Sequence, residues 1–205
     1  VFSIICSLIT FNLVLMVDIG DKTKMSSKLL RPIIVPATYN DYPVIQNMAR
    51  FYVYDLSRYC GFISEDWSMP ANGLYECFDF RIYFEDENRW PFLIKVNSEL
   101  AGFILVDKET KESSSNWNMG EFFVIAKFQN KGISREAAWE VFNKYSGIWE
   151  VSVIPENHKG LNFWKRVIGT YTNGKFSCQV KVVDFDKYQP HRHIFTFDTK
   201  IFSEN

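Results

Sequence analysis

Short apolar runs alternate along this chain with stretches in which apolar residues recur at every third or fourth position. A run of about five apolar residues between turn residues is typical of a buried strand, and the wider spacing is typical of an amphipathic helix. The short runs predict seven strands, at residues 30–35, 92–96, 101–106, 120–126, 148–154, 176–183 and 193–197.

The first helix is predicted by an apolar stripe made of Ile45, Met48, Tyr52, Leu56 and Tyr59. A capping side chain from Asn40 or Asp41 and a proline at position 43 indicate where this helix begins. Gly61 indicates where it ends.

A second helix is predicted for residues 133–145, and a third, short one follows Pro155. Residues 61–73 are rich in turn residues, residues 75–84 are ambiguous between helix and strand, and residues 97–99 suggest a hairpin. The order is therefore strand, one or two helices, three strands, helix, strand, helix and two strands. This order predicts an α/β (α+β) fold, in which a mixed sheet of about six to seven strands carries helices on both faces.

Residues 1–24 stand apart in composition. The first 17 residues are almost entirely apolar, but a membrane-spanning helix needs about 20 such residues. The basic segment and cleavage site of a secretory signal are not recognisable. Three interpretations stay open: an extension outside the working protein, a membrane-associated or packed segment, and a degenerate signal. We expect residues 25–205, which begin at Met25, to form a single domain.

Charge and cysteine content narrow the class of partner. The formal net charge is −1, from 23 basic and 24 acidic residues, so a nucleic-acid partner is not expected. The four cysteines are scattered, at Cys6, Cys60, Cys77 and Cys178. Because they form no CxxC pair, free thiols in the reducing cytoplasm are the simplest interpretation. His191 and His193 could face the same way on a strand, but two polar residues on a half-exposed strand are the simpler interpretation, and no metal is expected.

Residues 120–134 (GEFFVIAKFQNKGIS) place a short loop with one glycine, Gly132, between a predicted strand and a predicted helix. In a strand–loop–helix arrangement, backbone N–H groups point at a bound phosphate, and the helix dipole adds about half a positive charge. One glycine is weak support by itself, since many such turns bind nothing. The assignment of a phosphate site to this loop therefore needs further support from the rest of the sequence.

This order of elements, with the loop after the fourth strand, resembles the GNAT acyltransferase superfamily over residues 33–197. Members of that family carry a loop of the form Arg/Gln-x-x-Gly-x-Gly/Ala. Gln129, Gly132 and Ser134 occupy the three defined places, and Ser134 departs from the usual glycine or alanine. The runs GEFFVIAKFQNKGIS, WEVSVIPEN and FWKRVI look closest to an uncharacterised group of predicted acetyltransferases.

The resemblance implies acetyl-CoA as a co-substrate and no metal. The pyrophosphate would bind the loop formed by Gln129, Asn130, Lys131, Gly132, Ile133 and Ser134. The pantetheine arm would lie between two parallel strands that splay apart, beside the backbone of Phe123 and Val124. Asn157 matches an asparagine that contacts this arm in the family, and it is equally well placed to cap a helix.

The implied reaction moves an acyl group from a thioester to an amine, which needs a base for the amine and a proton for the departing thiolate. Glu121 is the candidate base, since family members use a glutamate on this strand. The alternative is that Glu121 is a solvated or ion-paired strand residue. The family's acid, a tyrosine, falls at Trp164, which we expect to pack in the core. The acid is therefore unassigned, with three candidates in Tyr52, Tyr54 and Tyr171.

The sequence thus predicts an acetyl-CoA-dependent N-acetyltransferase that acts on a primary amine of a small molecule or protein. A second hypothesis is a non-catalytic CoA-binding module of the same fold that acts in sensing or interaction, which the residues at Trp164 and Ser134 favour somewhat. A third, a nucleotide-binding α/β protein, is disfavoured because neither GxGxxG nor GxxxxGK[ST] occurs. The expected partner is a small-molecule or peptide amine, and a homodimer is left open.

Overall fold

A single mixed β-sheet runs through residues 30–200, which are the residues that this computed structural model describes. The predicted apolar extension at residues 1–24 lies outside them. The strands are ordered β1-β2-β3-β4-β5-β7-β6 across the sheet. Their bounds are β1 Ile33–Pro36, β2 Arg89–Val96, β3 Glu99–Asp107, β4 Trp117–Val124, β5 Ile148–Val153, β6 Ser177–Val182 and β7 His191–Asp198.

Three α-helices in this part of the chain cover the two faces of the sheet, namely α1 Tyr42–Cys60, α2 Ile133–Lys144 and α3 His158–Tyr171. Strand β3 shows how one strand serves both faces, because its side chains alternate. Phe103 and Leu105 pack in the cluster that contains α1. Ile104 and Val106 pack in the larger cluster that contains α2 and α3. The predicted mixed sheet with helices on both faces is confirmed.

Strands β4 and β5 are parallel, and α2 connects them. The other neighbouring strands pair antiparallel. A strand–helix–strand connection between parallel neighbours is right-handed in nearly all proteins. It brings the loop before α2 to the end of the sheet where β4 finishes. None of the helices within residues 30–200 combines the length and apolar content needed to cross a membrane.

The structure differs from the sequence-based prediction at three places. The fourth strand was predicted at residues 120–126, but β4 covers Trp117–Val124, and Ala126–Phe128 form a 3₁₀ turn. The ambiguous residues 75–84 contain no strand and only a 3₁₀ turn, Phe80–Phe84. The third helix is longer than predicted, since α3 has 14 residues. The Phe80–Phe84 turn is capped by the Asp79 carboxylate, which accepts a hydrogen bond from the Arg81 N–H (2.9 Å). Apolar spacing does not report such a local bond.

The start of α1 also differs in its chemistry. Pro43 lies in the first turn as predicted, but Asp41 makes no side-chain cap to the helix. Its carboxylate instead accepts hydrogen bonds from the Thr38 backbone N–H (2.8 Å) and the Thr38 hydroxyl (2.9 Å). These bonds hold a preceding 3₁₀ turn, Tyr39–Asp41, so the chain enters α1 already turned.

Candidate active site

Strands β4 and β5 separate soon after they begin. Their pairing runs from Trp117 beside Trp149 to Met119 beside Val151. After that point β4 continues along β3, and β5 continues along β7. Residues 120–124 of β4 therefore face β5 across a gap rather than a hydrogen-bonded ladder.

The pairing of β4 with β3 determines which backbone groups of β4 point into this gap. The Ile125 N–H donates to the Ala101 carbonyl oxygen (2.8 Å). Because hydrogen-bonded and non-bonded pairs alternate along an antiparallel ladder, the backbone groups of Phe123 also point toward β3. Those of Phe122 and Val124 point into the gap. Of the two residues predicted to lie beside the pantetheine, Val124 thus turns its backbone to the gap and Phe123 does not.

The loop between β4 and α2 keeps most of its predicted phosphate-binding residues at the surface. Asn130, Lys131 and Gly132 are exposed, Gln129 and Ser134 are partly buried, and the Ile133 side chain is fully buried. Asn130 and Gly132 have positive φ values of 59° and 83°. The Gln129 amide donates to the Val124 carbonyl oxygen (2.7 Å). This bond folds the loop back onto its own strand, so the Gln129 side chain shapes the loop.

The first turn of α2 is open to an anion. Gly132 occupies the N-cap position, where no side chain caps the helix. The first N–H groups of a helix have no acceptor within it, so these groups are available to a ligand. Lys131 and Arg135 add positive charge and Glu136 adds one negative charge nearby. Uncapped N–H groups together with the helix dipole form a common phosphate site.

Asn157 caps α3, as the sequence suggested. Its side-chain oxygen accepts a hydrogen bond from the Gly160 N–H (2.9 Å). The amide nitrogen of Asn157 is the remaining donor on this side chain. Since α3 begins directly after β5, that donor lies at the same end of the sheet as the loop before α2.

Glu121 lies on the α1 face of β4 and is partly buried. The register places it beside Leu105, whose side chain packs in the α1 cluster. Removal from water raises the pKa of Glu121 from 4.5 to about 7, a side-chain hydrogen bond from Tyr52 lowers it, and the charge of Asp107 raises it further. A carboxyl group with a pKa near the working pH is well suited to accept a proton.

A buried polar network lies beside the candidate base. Asp107 is only 2% exposed and accepts hydrogen bonds from the Tyr83 hydroxyl, the Asn118 amide (2.9 Å) and the Glu109 N–H (2.9 Å). Burial raises the pKa of Tyr83, so this tyrosine stays protonated as a donor. A Cβ at Gly120 would collide with both the Tyr83 hydroxyl and the Asp107 carboxylate. The glycine that opens the predicted strand is thus required by this network.

Trp164, where the sequence resemblance implied a tyrosine, is a core residue, as predicted. It is 7% exposed. Its ring lies 5.1 Å from the Phe122 ring, 4.9 Å from Phe163 and 6.4 Å from Phe142, measured between centroids. Since Phe122 and Glu121 point to opposite faces of β4, Trp164 lies on the face away from the candidate base.

Three tyrosines were candidates for the general acid. Of these, Tyr52 is the one that interacts with Glu121. Tyr54 is 59% exposed and its ring lies near that of Tyr75 (6.4 Å). The Tyr171 hydroxyl donates to the Asn143 side chain (2.7 Å). Tyr52 belonged to the apolar stripe of α1, so its polar end was a weak signal in the sequence.

The sequence did not predict a hydrogen-bonded cluster that joins three loops. Gln189, before β7, accepts from the Trp67 indole N–H (3.1 Å). Its amide group donates to the Glu156 carboxylate (3.1 Å) and to the Cys60 sulfur (3.4 Å). These bonds connect the loop after α1, the end of β5 and the connection from β6 to β7. Residues so far apart in the chain carry no shared motif.

A metal site is not apparent within residues 30–200, where no three His, Cys, Asp or Glu side chains come close enough to hold an ion. The cysteines in this range, Cys60, Cys77 and Cys178, are free thiols.

Comparison with known proteins identifies the family to which this geometry corresponds. The sequence profile described as "Acetyltransferase (GNAT) family" matches residues 51–169. A comparison with curated protein sequences found no significant match.

Solved structures with a similar fold come from several bacteria. An acetyltransferase from Thermus thermophilus is 16% identical, with a TM-score of 0.53 over 83% of this chain and 98% of that one. A spermidine N-acetyltransferase SpeG chimera from Vibrio cholerae and hSSAT is 12% identical, with a TM-score of 0.54 over 85% and 99%. The protein yncA from Salmonella typhimurium, solved with its cofactor acetyl-CoA, is 10% identical, with a TM-score of 0.53 over 82% and 94%. At these identities the likeness concerns the fold alone.

Proposed function

This chain belongs to the acetyltransferase (GNAT) family, and we propose that it transfers the acetyl group of acetyl-CoA to a primary amine of a small molecule or protein. The observation that carries the proposal is the position of Glu121. Its carboxyl group lies on β4 beside the stretch where β4 leaves β5, and its pKa is raised to about 7.

Three features of the site fit acetyl-CoA. The uncapped first turn of α2, with Lys131 nearby, suits the pyrophosphate. The backbone of Phe122 and the N–H of Val124 offer hydrogen-bonding groups to the amides of the pantetheine arm; the Val124 carbonyl oxygen already accepts from the Gln129 amide. The Asn157 amide nitrogen offers a further donor at the end of β5. The protein yncA, which has a similar fold, was solved with its cofactor acetyl-CoA.

The proposed chemistry is direct transfer. A neutral amine attacks the thioester carbonyl carbon, the new C–N bond forms, and the C–S bond breaks with its electron pair left on sulfur. Glu121 accepts the proton that the nitrogen loses, which typically contributes about 10²–10⁴ in rate. Because Glu121 must be ionised to act as a base, kcat/KM should rise as the pH passes through about 7.

The acceptor is assigned only as an amine. One protein of similar fold is named a spermidine N-acetyltransferase, and polyamines are therefore included among the amines tested. We place the activity in the cytoplasm as part of the same proposal, supported by the free thiols at Cys60, Cys77 and Cys178.

Calorimetry tests the proposal first. Acetyl-CoA should bind with a measurable Kd, whereas ATP and NAD should not. Turnover is then measured as release of the CoA thiol with a panel of alkylamines, polyamines, amino sugars and peptides with free N-termini. Binding of ATP or NAD in preference to acetyl-CoA would refute the proposal.

A second candidate function is a CoA-binding module without catalysis. The observation that favours it is the tryptophan at Trp164, which cannot give a proton to a thiolate as a tyrosine could. This module would bind acetyl-CoA as tightly as an enzyme but release no thiol with any amine of the panel.

A further inference from the structure

The departing thiolate of the proposed reaction needs a proton, and the α3 side of the sheet does not supply one. Trp164 fills that side, packed between Phe122 and Phe142. An indole N–H does not titrate in the useful range. A proton donor is therefore expected on the α1 face, where Glu121 lies.

Tyr52 is held against Glu121 from that face. Its ring lies 5.8 Å from the Phe123 ring and 6.4 Å from the Phe103 ring. These contacts fix the ring over β3 and β4, on the same face of β4 as Glu121, and the interaction of its hydroxyl with the Glu121 carboxylate lowers the pKa of Glu121. Tyr52 lies one helical turn after Met48 on the buried stripe of α1. The sheet and the helix together determine where the hydroxyl points.

We propose that Tyr52 positions Glu121 and passes the amine proton on to the departing thiol. This inference rests on the proposed acetyl transfer. The carboxylate of Glu121 takes a proton from the attacking nitrogen as the C–N bond forms. When the C–S bond breaks, the Tyr52 hydroxyl gives its proton to the sulfur and receives the proton held by Glu121. Both side chains return to their starting states, and the products are the amide and the free CoA thiol.

The surroundings of Tyr52 favour this concerted exchange over a tyrosinate. Burial and the interaction with Glu121 raise the pKa of Tyr52 well above 10, while Arg192 lowers it. A stable phenolate is therefore unfavourable, and the hydroxyl can give up its proton only as it receives another. The groups that face Glu121 from other elements are Asp107, whose charge raises its pKa, and the protonated Tyr83 and Cys77.

The substitution Tyr52→Phe removes the hydroxyl and keeps the ring. We expect kcat with acetyl-CoA and the best amine of the panel to fall by about 10², with KM for acetyl-CoA unchanged. The acidic limb of the pH profile should move to higher pH, because the hydrogen bond that favours the Glu121 carboxylate is gone. Tyr54→Phe is the matched control: it lies on the same helix with an exposed side chain and should leave kcat and the profile unchanged.

A measurement without turnover tests the contact itself. In the wild-type protein, the ¹³C resonance of the Glu121 carboxyl should titrate near pH 7, and the Tyr52 ring resonance should shift over the same pH range. In Tyr52→Phe the carboxyl should titrate at higher pH. A Glu121 titration that Tyr52→Phe does not move overturns the proposal, and so does a shifted titration with kcat within about twofold of the wild type. If the wild type binds acetyl-CoA but acetylates no amine, the proposed function fails, and a coupled titration would still establish the Tyr52–Glu121 pair.

Discussion

Replacing Glu121 by glutamine should make the protein more stable at alkaline pH and less active. In the folded protein the pKa of Glu121 is about 7 against 4.5 for an unperturbed group. The folded state therefore holds the proton more tightly than the unfolded chain. This contribution to stability is complete below pH 4.5 and is lost as the pH rises through 7. One pKa unit corresponds to about 1.4 kcal/mol, so the loss above pH 7 is at most about 3 kcal/mol.

Glutamine carries no charge, so the Glu121→Gln variant does not lose this stability as the pH rises. Its side-chain carbonyl oxygen can still accept a hydrogen bond from Tyr52. The unfolding free energy of Glu121→Gln relative to the wild type should therefore increase by about 2–3 kcal/mol between about pH 5 and pH 8.5. For a chain of this size that corresponds to several degrees in Tm. Urea denaturation and thermal unfolding at the two pH values measure it. In the same variant kcat should fall by about 10²–10⁴, with the Kd for acetyl-CoA intact.

The control is Glu140→Gln, on the exposed surface of α2, which should change stability by less than about 0.5 kcal/mol at either pH. A Glu121→Gln variant that is less stable than the wild type at the higher pH would show that the ionised carboxylate makes a stabilising contact, and the burial argument would be wrong. A fall in kcat of less than about threefold, where chemistry limits the rate, would return Glu121 to a structural role.

Three further substitutions test the rest of the site. Gly132→Asp should abolish acetyl-CoA binding in calorimetry. Gly174→Asp is the control, because it changes another open glycine with positive φ; it should incur a similar backbone cost and bind acetyl-CoA normally. Equal affinities of the two variants for acetyl-CoA would place the phosphate elsewhere. Trp164→Tyr should lower stability and give no gain in kcat, since a ring of different shape would sit in a filled space; a clear rise in kcat, absent in Trp164→Phe, would mean that this position faces the thioester. Gly120→Ala should cost about 1–3 kcal/mol in urea denaturation, because its methyl group overlaps a buried hydroxyl–carboxylate pair; a change below about 0.5 kcal/mol would show that the pair relaxes freely.

Local patterns were sufficient for the elements and their order. The stripe from Ile45 to Tyr59 predicted α1, because helix periodicity acts within a few residues. Gly61 marked its end correctly, although it keeps a φ of −59° and does not adopt the left-handed conformation of a glycine C-cap. Asn173 and Gly174 form an Asn-Gly pair, which is typical of a turn, and both residues adopt positive φ. Prediction was poorest at residues 75–84, where the 3₁₀ turn is held by the Asp79 carboxylate and packs on α1 and β2.

The candidate site divides in the same way. The sequence by itself determined the strand–loop–helix around Gly132 and the presence of a carboxylate at Glu121, since both are features of adjacent residues. Only the tertiary structure decided what the carboxylate can do. Its pKa depends on Tyr52 from α1 and on Asp107 at the end of β3, and the gap beside it depends on where β5 leaves β4. Hydrogen bonds and burial act over a few ångströms of space, and the packing of the sheet, not spacing along the chain, sets which residues come that close.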